Sequence, residues 1–355
     1  MTDFSHLYPY VLAPKLTQQI WGGDALVTVY NQPGDPSAKL GESWECWDDN
    51  AVTNGPLAGR TVADLRAQLG ADLLGDIDAS RMFPILTKII DARDWLSVQV
   101  HPDDAYAQRV EGKPFGKTEC WYVLHADVGA ELVLGWTHDT SRAEYLERVA
   151  DGSLGDLLRR VPVNAGDAFY LPSGTLHAIG KGIVVFETQQ ASDLTYRIFD
   201  WNRVGGDGRP RELHVDKAAD VLNYRRGERG AIAPVEFAFD NLQRTMLIAD
   251  PRFCVERIVV GREPGSVATG DRPLVAMALD RGLSIACDGG SAILEPYRTA
   301  LIPAAARWAT FTSTDGADAP FMFVTAPATP ESVPAHLLAA GIDQARVDAF
   351  MEQFR

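Results

Sequence analysis

The chain has 355 residues and a formal net charge of −15 at pH 7, with 46% hydrophobic and 23% charged residues. This composition is typical of a globular protein that folds in water. The acidic balance argues against nucleic acid or an anionic membrane surface as a partner. A phosphorylated ligand would need a local cluster of Lys and Arg to overcome the overall repulsion.

The sequence contains no apolar run long enough to span a bilayer, and its N-terminus lacks the basic-then-apolar pattern of a signal peptide. We therefore expect a cytoplasmic protein. The four cysteines (Cys46, Cys120, Cys254 and Cys287) are scattered and form no CxxC pair. Their distribution predicts reduced thiols rather than a disulfide framework or a structural zinc knot.

The first elements combine strand and helix patterns. Residues 42–47 alternate in side-chain type, as expected for a strand. Residues 61–78 predict a short helical insertion, because Thr61 can cap a helix and Leu65 and Leu69 repeat on one face. Residues 139–160 predict a second helical insertion in a region that is otherwise β-prone. The β-prone runs around it are 83–90, 95–100, 116–125, 131–135, 169–171 and 183–188.

The segment 166–177, GDAFYLPSGTLH, joins a β-prone run to a tight turn and a histidine. Pro172 fixes φ, and Gly174 supplies the conformational freedom that a sharp turn needs. The pattern resembles the second signature of cupin β-barrels, in which the returning strand carries a metal ligand. His177 is therefore a candidate ligand rather than an ordinary surface histidine.

Three further residues have both ligand chemistry and strand spacing. Gln99 and His101 are two residues apart on one predicted strand, and Lys117 and Glu119 are two apart on another. Alternate residues share a face of a strand, so both pairs can point into one barrel with His177. Two imidazoles, a carboxylate and an amide oxygen suit a borderline divalent ion such as Zn²⁺. The predicted ligand set is Gln99, His101, Glu119 and His177, with one ion per chain.

The composition changes near residue 230, where a polar, turn-rich segment is followed by further short β-prone runs. In this second half, Leu301–Ala305 contains a proline turn, but no histidine follows at the ligand position. We therefore expect an N-terminal metal-binding barrel over 1–230, a C-terminal metal-free barrel over 231–330 and a helical tail over 331–355.

Several longer runs carry a more specific resemblance, over about residues 5–225 and more weakly to about 325: QQIWGG, GESWE, FPILTKIIDARDWLSVQVHPDD, GKTECWYVL, GDAFYLPSGTLHAIGKG and FETQQASDLTYRIFDWNR. From these runs the chain is identified as a member of the type I mannose-6-phosphate isomerase family of the cupin superfamily. The resemblance implies a mainly β fold of two cupin-like jelly-roll barrels with a few peripheral helices.

Two departures accompany the resemblance. A Gln-x-His pair replaces the His-x-His of the general cupin signature, which is the variant found in the isomerases. The long helical domain of larger family members is reduced to about residues 139–160, as in shorter bacterial members. A pocket wall supplied by that domain would therefore be missing, and the strictness of sugar selection stays open.

The implied reaction interconverts mannose 6-phosphate and fructose 6-phosphate through an enediol(ate), with zinc as the Lewis acid and no redox cofactor. The resemblance places Arg197 in the active site, where a guanidinium can stabilise the developing negative charge. The proton-transferring base is left open. Glu187 and Asp193 are the main candidates, and Lys117 or His101 are weaker ones.

The expected partner is a small sugar phosphate; protein partners are not predicted. Ser97 and Lys117 lie two residues before Gln99 and Glu119, so a hydroxyl and an ammonium can project from adjacent strands towards the phosphate. The predicted substrate-binding residues are Ser97, Lys117, Arg197 and Trp21, with Arg203 and Lys88 in reserve.

Three alternatives stay open at this point. An Fe²⁺ oxygenase of the cupin type would favour three histidines or a facial His/His/carboxylate set. A non-catalytic sugar-binding cupin would keep the barrel without turnover. An isomerase of free mannose, or of another sugar phosphate, would keep the chemistry and change the substrate.

Overall fold

The computed structural model describes residues 6–78, 82–205, 208–325 and 332–355. Most of the regular structure is antiparallel β. In chain order, the strands of the first half are β1 (Tyr10–Val11), β2 (Lys15–Gly23), β3 (Leu40–Cys46), β4 (Ile85–Ala92), β5 (Val98–Val100), β6 (Glu119–Ala126), β7 (Glu131–Trp136), β8 (Leu158–Pro162), β9 (Ala168–Leu171), β10 (His177–Ala178), β11 (Ile183–Gln190) and β12 (Tyr196–Phe199).

The second half continues the same pattern with shorter loops. Its strands are β13 (Val235–Phe239), β14 (Leu242–Asp250), β15 (Phe253–Val260), β16 (Gly265–Ala268), β17 (Leu274–Ala278), β18 (Leu283–Cys287), β19 (Gly290–Leu294), β20 (Thr299–Ile302), β21 (Trp308–Ser313) and β22 (Ala319–Thr325). The α-helices among the described residues are α1 (Ala25–Thr28), α2 (Val62–Leu69), α3 (Ala71–Leu74), α4 (Asp104–Tyr106), α5 (Arg142–Asp151), α6 (Val215–Val221), α7 (Ser332–Ala339) and α8 (Gln344–Glu352).

Two sheets form the first barrel. A six-stranded sheet has the order β2-β3-β4-β11-β6-β9, and a five-stranded sheet has the order β12-β5-β10-β7-β8. Their facing sides share an apolar cluster that includes Ile90, Val123, Leu134 and Val185. This cluster fills much of the barrel interior and reaches the predicted ligand His177 through Trp121.

The second barrel is built in the same way. A seven-stranded sheet, β1-β20-β17-β22-β15-β14-β13, faces a four-stranded sheet, β16-β21-β18-β19. The predicted fold class is confirmed: two jelly-roll barrels with a few peripheral helices. One detail differs from the predicted division at residue 230. Strand β1 pairs with β20, with Tyr10 opposite Leu301, so the start of the chain joins the sheet of the C-terminal half.

The six-stranded and seven-stranded sheets pack against each other, and so both of their faces are buried. On β11, Ile183 and Val185 point into the first barrel, whereas Val184 and Phe186 point into the core between the barrels. This explains why the sequence of β11 is an almost continuous apolar run rather than a clean alternation.

The peripheral helices follow the predicted insertions with shifted limits. In 61–78, α2 begins with a capping box between Thr61 and Asp64, and a short α3 follows. In 139–160, α5 is followed by a 3-10 turn at Leu154–Leu157 and then by strand β8, which begins at Leu158, so the last residues of the predicted helical insertion form a strand instead. The edge pairing of β8 with β7 overrides its local helical pattern. Among the described residues, no helix combines the length and apolar character needed to cross a bilayer.

A carboxyl group is buried in the core between the barrels. Glu45 of β3 is 1% exposed and accepts hydrogen bonds from Ser43 Oγ at 2.5 Å and from Thr299 Oγ1 of the other barrel at 3.2 Å. Burial raises the pKa of Glu45 to about 7, because the charged form loses its hydration, although both hydroxyls partly offset this effect.

We expect Glu45→Gln to stabilise the protein at pH 8 and to have little effect at pH 5. The folded-state pKa lies above the ordinary value of 4.5, so stability present at low pH is lost as the pH rises to about 7. A shift of this size corresponds to roughly 3 kcal/mol. Thermal unfolding midpoints at both pH values test this, with the exposed Glu147→Gln on α5 as the control. An equal effect of Glu45→Gln at both pH values would contradict the prediction.

Candidate metal centre

Strand pairing and one turn bring the predicted ligands together. His177 on β10 lies directly opposite Gln99 on β5, so the two side chains share the inner face of the five-stranded sheet. The turn before His177 contains Gly174, whose φ of +84° is in the left-handed region that favours glycine. The Gly174 N–H donates to the carbonyl of His101 at 2.9 Å, which fixes the turn to the strand that carries the other imidazole.

The donor atoms of His101, Glu119 and His177 all lie within 4.8 Å of one another, and all three side chains are buried. His177 Nε2 is 3.1 Å from Glu119 Oε1, and His101 Nε2 is 3.5 Å from Glu119 Oε2. The side-chain amide of Gln99 lies 3.2 Å from His177 Nε2, so its carbonyl oxygen reaches the same point after a flip of the amide.

The orientation of both imidazoles suits metal binding. The Nδ1 atom of His101 lies 2.8 Å from the carbonyl of Leu194, and that of His177 lies 2.9 Å from the carbonyl of Thr175. Each ring can therefore donate through Nδ1 and turn an unprotonated Nε2 towards Glu119. His101 Nε2 and Glu119 Oε1 are buried without a hydrogen-bond partner among the described residues, whereas Glu119 Oε2 contacts Lys117 Nζ. Such orphaned donor atoms fit a divalent cation at their centre.

The electrostatics around Glu119 favour its charged form. Burial alone would raise the pKa of Glu119, but Lys117 and the two imidazoles outweigh it and hold the pKa well below its ordinary value. Lys117 Nζ is 2.8 Å from Glu119 Oε2. Burial would lower the pKa of Lys117, but Glu119 and Glu187 raise it to about 12. Burial lowers the pKa of His101 well below its ordinary value, which keeps this ring neutral at pH 7.

A second polar group lies on the same inner surface, on the six-stranded sheet. Trp121 Nε1 donates to Glu187 Oε2 at 2.8 Å, and the Trp121 ring meets the His177 ring edge-on at 5.4 Å. Lys88 Nζ lies 3.5 Å from both Glu187 Oε1 and Glu42 Oε2. Glu187 is therefore connected to the metal-site histidine through one aromatic side chain.

Arg197 on β12 pairs with Gln99, so it extends the inner face of the five-stranded sheet. Its Nη1 donates to the carbonyl of Glu212 at 2.9 Å, and its buried Nε has no hydrogen-bond partner among the described residues. Burial lowers the pKa of Arg197, and the nearby Arg211 adds to this effect.

Two further guanidinium groups gather close to Arg197. The buried carboxylate of Asp200 accepts from Arg203 Nη2 at 2.7 Å and from Arg211 Nε and Nη2 at 2.7 and 2.6 Å. Asp200 thus holds the guanidinium groups of Arg203 and Arg211 close to that of Arg197. In a chain with a net charge of −15, this is the kind of local basic cluster that a phosphorylated ligand needs.

The other predicted residues lie in different settings. Ser97 is buried two residues before Gln99, on the approach to the cluster. Trp21 is buried in the apolar interior of the first barrel. Asp193 is exposed in the turn before β12, and no hydrogen bond or ion pair joins it to Arg197 in the described part of the chain.

Sequence reasoning missed several residues of this surface. Trp121 lies two residues after Glu119, so the period-two rule that selected Glu119 could also have selected it. Glu42 lies on the predicted strand over 42–47 but was not singled out. The contact between Asp200 and Arg211 spans eleven residues of irregular chain, and no periodic pattern signals it.

Two packed jelly rolls, one of which contains a buried His–Glu–His cluster with the geometry to hold a metal ion, define a protein of the two-barrel cupin class. Residues 10–114 match the family model of the type I phosphomannose isomerase catalytic domain. A mannose-6-phosphate isomerase of Streptococcus mutans is 41% identical over 279 residues, which cover 77% of this chain and 86% of that protein. The chain therefore belongs to the type I phosphomannose isomerase family, as its sequence runs predict.

Solved structures agree with this assignment. The crystal structure of the mannose 6-phosphate isomerase from Bacillus subtilis matches with a TM-score of 0.80 at 30% identity, covering 89% of this chain and 99% of that one. A variant of the phosphomannose isomerase from Salmonella typhimurium matches with a TM-score of 0.72 at 15% identity, which shows the shared fold.

We expect the purified protein to hold one divalent ion per chain and His177→Ala to lose it. Removing a ligand should lower metal affinity by more than the roughly 10–100-fold that loss of an outer partner typically costs. Metal content after dialysis against a chelator, measured by plasma mass spectrometry, tests this. His125→Ala, an exposed histidine outside the cluster, is the control. Unchanged metal content in His177→Ala would refute the assignment of this ligand.

Proposed function

We propose that the protein is a zinc-dependent aldose–ketose isomerase that interconverts mannose 6-phosphate and fructose 6-phosphate through an enediol(ate). The observation that carries the proposal is the buried His–Glu–His cluster with Arg197 on the neighbouring strand. Zinc bound by His101, Glu119, His177 and Gln99 would supply Lewis acidity to a substrate oxygen. The family assignment supports the substrate.

The remaining chemistry falls to the side chains around the cluster. Arg197 is a permanent cation whose buried Nε has no partner in the described chain, so it is available to a developing oxyanion. Lys117 is held by Glu119 at 2.8 Å, which suits a hydrogen-bond donor to the sugar hydroxyls.

Glu187 is the base that the geometry favours over Asp193. Its Oε2 is fixed by Trp121, while its buried Oε1 has no hydrogen bond among the described residues. It projects into the barrel that holds the metal cluster, whereas Asp193 is exposed. Lys88 Nζ lies 3.5 Å from this Oε1, close enough to hold the carboxylate in its charged form. A fixed, charged carboxylate can take a proton from the carbon beside the carbonyl and return it to the neighbouring carbon.

Arg203 and Arg211 are the proposed partners of the substrate phosphate, together with the hydroxyl group of Ser97. Asp200 holds both guanidinium groups by charged hydrogen bonds, which fixes their planes before a ligand arrives. Planar guanidinium groups suit phosphate oxygens because two donors can bind at once.

The direct test is to incubate the protein with mannose 6-phosphate and to follow fructose 6-phosphate in untreated, chelator-treated and zinc-restored samples. We expect turnover that is lost with chelation and restored by zinc. Absence of turnover by the metal-loaded protein would rule out this substrate. Turnover of free mannose, or sugar phosphate binding without turnover, would then identify one of the alternative functions.

We expect Arg197→Ala to lower kcat by about 100–1,000-fold, the usual cost of losing one oxyanion donor. Arg197→Lys should recover only part of the activity, because a lysine lacks the planar set of donors. Steady-state kinetics test this, with Arg142→Ala on the exposed face of α5 as the control. A normal kcat in Arg197→Ala would remove this residue from the mechanism.

We expect Arg203→Ala and Arg211→Ala to raise both the KM for mannose 6-phosphate and the inhibition constant of inorganic phosphate by about 10–100-fold. Hydrogen bonds to charged groups contribute about 1.5–3 kcal/mol each, which corresponds to this range. Inhibition kinetics with inorganic phosphate give the second constant. A rise in KM without any change in phosphate inhibition would show that these arginines do not contact the phosphate.

A further inference from the structure

The mouth of the C-terminal barrel holds a cavity of about 400 Å³. Its lining combines aromatic residues with a few polar groups, among them Arg244, Glu256, Trp308 and His336. Pockets that bind small organic molecules typically enclose about 300–1,000 Å³ and have this mixture of apolar walls and few polar groups. Nothing in the reaction described above uses this cavity.

Strand pairing shows that this cavity corresponds to the metal site of the first barrel. In the larger sheets, β13, β14, β15, β22, β17 and β20 occupy the places of β2, β3, β4, β11, β6 and β9. In the smaller sheets, β16, β21, β18 and β19 occupy the places of β5, β10, β7 and β8. The two barrels can therefore be compared position by position.

In the second barrel, the residues at the positions of the predicted metal ligands have side chains that cannot coordinate a metal ion. Trp308 follows the turn residue Pro303 by the same five residues that separate His177 from Pro172. It pairs with Ala268, as His177 pairs with Gln99. By the same pairings, Gly270 stands in the place of His101 and Leu274 in the place of Glu119.

A buried ion pair is retained at equivalent positions with the two charges exchanged. In the first barrel, Lys88 lies opposite Glu187 and approaches Glu42. In the second barrel, Glu256 takes the place of Lys88, and Arg244 takes the place of Glu42. Arg244 Nε and Nη2 donate to the two oxygens of Glu256 at 2.7 and 2.6 Å, and both residues are less than a tenth exposed.

The chemistry of this cavity favours a neutral, hydroxyl-rich ligand. Trp308 is 57% exposed and lines the cavity, so its indole can pack against the C–H face of a sugar ring. The opposite charges of Arg244 and Glu256 cancel, and Arg272, which also lines the cavity, is paired with Asp76. The cavity therefore offers hydrogen-bond donors and acceptors but no unpaired charge from these arginines to attract an anion. His336 Nε2 is buried without a hydrogen-bond partner in the described part of the chain.

We propose that the mouth of the C-terminal barrel is a metal-free binding site for a neutral sugar or similar polyol. The ligand packs on Trp308 and hydrogen-bonds to the Arg244–Glu256 pair. The proposal does not depend on the isomerase reaction, because no residue of this cavity belongs to the metal centre.

Fluorine NMR of protein labelled with 5-fluorotryptophan tests the proposal. The chain has 8 tryptophans, and Trp308→Phe and Trp121→Phe assign the signals that report on the second cavity and on the metal site. We expect mannose, fructose or glucose to shift the Trp308 signal in a saturable way, with a dissociation constant in the millimolar range. Binding at the metal site would instead shift the Trp121 signal, so the two sites are distinguished in one experiment.

Two variants complete the test. Arg244→Leu/Glu256→Leu removes the polar groups together, since replacing a buried ion pair by apolar side chains is often neutral for stability. We expect this double variant to weaken sugar binding at least about tenfold. We expect the same loss of affinity for Trp308→Ala, measured by saturation-transfer NMR because the reporting tryptophan is absent. Failure of all three sugars to shift Trp308, a shift caused only by mannose 6-phosphate, or unchanged affinity in the double variant would each overturn the proposal.

Discussion

The buried charge of Glu119 is the constraint on which the interior of the first barrel depends. A carboxylate removed from water is costly unless cations or donors surround it. Here Lys117 approaches one oxygen at 2.8 Å, and the Nε2 atoms of His177 and His101 lie 3.1 and 3.5 Å from the carboxylate, where a bound cation would complete the neutralisation. Because both imidazoles are fixed through backbone carbonyls, the geometry around the carboxylate is set by three strands and one turn rather than by mobile side chains.

The same strand that places Glu119 also links the two barrels. On β6, Glu119, Trp121 and Val123 face the metal site, whereas Cys120 and Tyr122 face the core between the barrels. The second barrel therefore supports the site without contributing any of the His–Glu–His donor atoms. It buries the outer face of the sheet and so fixes the plane from which the polar residues project.

Much of this arrangement could be predicted from the sequence. Two-residue spacings and the turn at Pro172 and Gly174 were enough to select His101, Glu119 and His177, and the structure brings these three together. Local patterns carry this information because each residue lies at the end of a strand and shares a face with its neighbour. The short strands at regular spacing predicted a β-sandwich or barrel, and the family resemblance implied two cupin-like jelly rolls.

What the sequence could not supply was contact between distant or irregular segments. The two-residue strand β1 has no periodicity, and its place is decided by pairing with Leu301. The end of the helical segment before Leu158 depends on an edge pairing with β7. The approach of Arg211 to Asp200 is set by an irregular loop. The equivalence between Glu42–Lys88 and Arg244–Glu256 likewise becomes visible only when the two sheets are compared by register.

The pairing of β1 with β20 has a consequence for how the chain acquires its structure during synthesis. The first barrel is complete in sequence long before β20 is made, yet the outer face of its large sheet, with Ile89, Val184 and Phe186, shares its apolar cluster with Val255, Val275 and Val324 of the second barrel. Contacts between such distant segments form slowly, and uncovered apolar surface promotes aggregation. The nascent first barrel therefore emerges with part of one apolar face unprotected, and the second barrel ends this exposure.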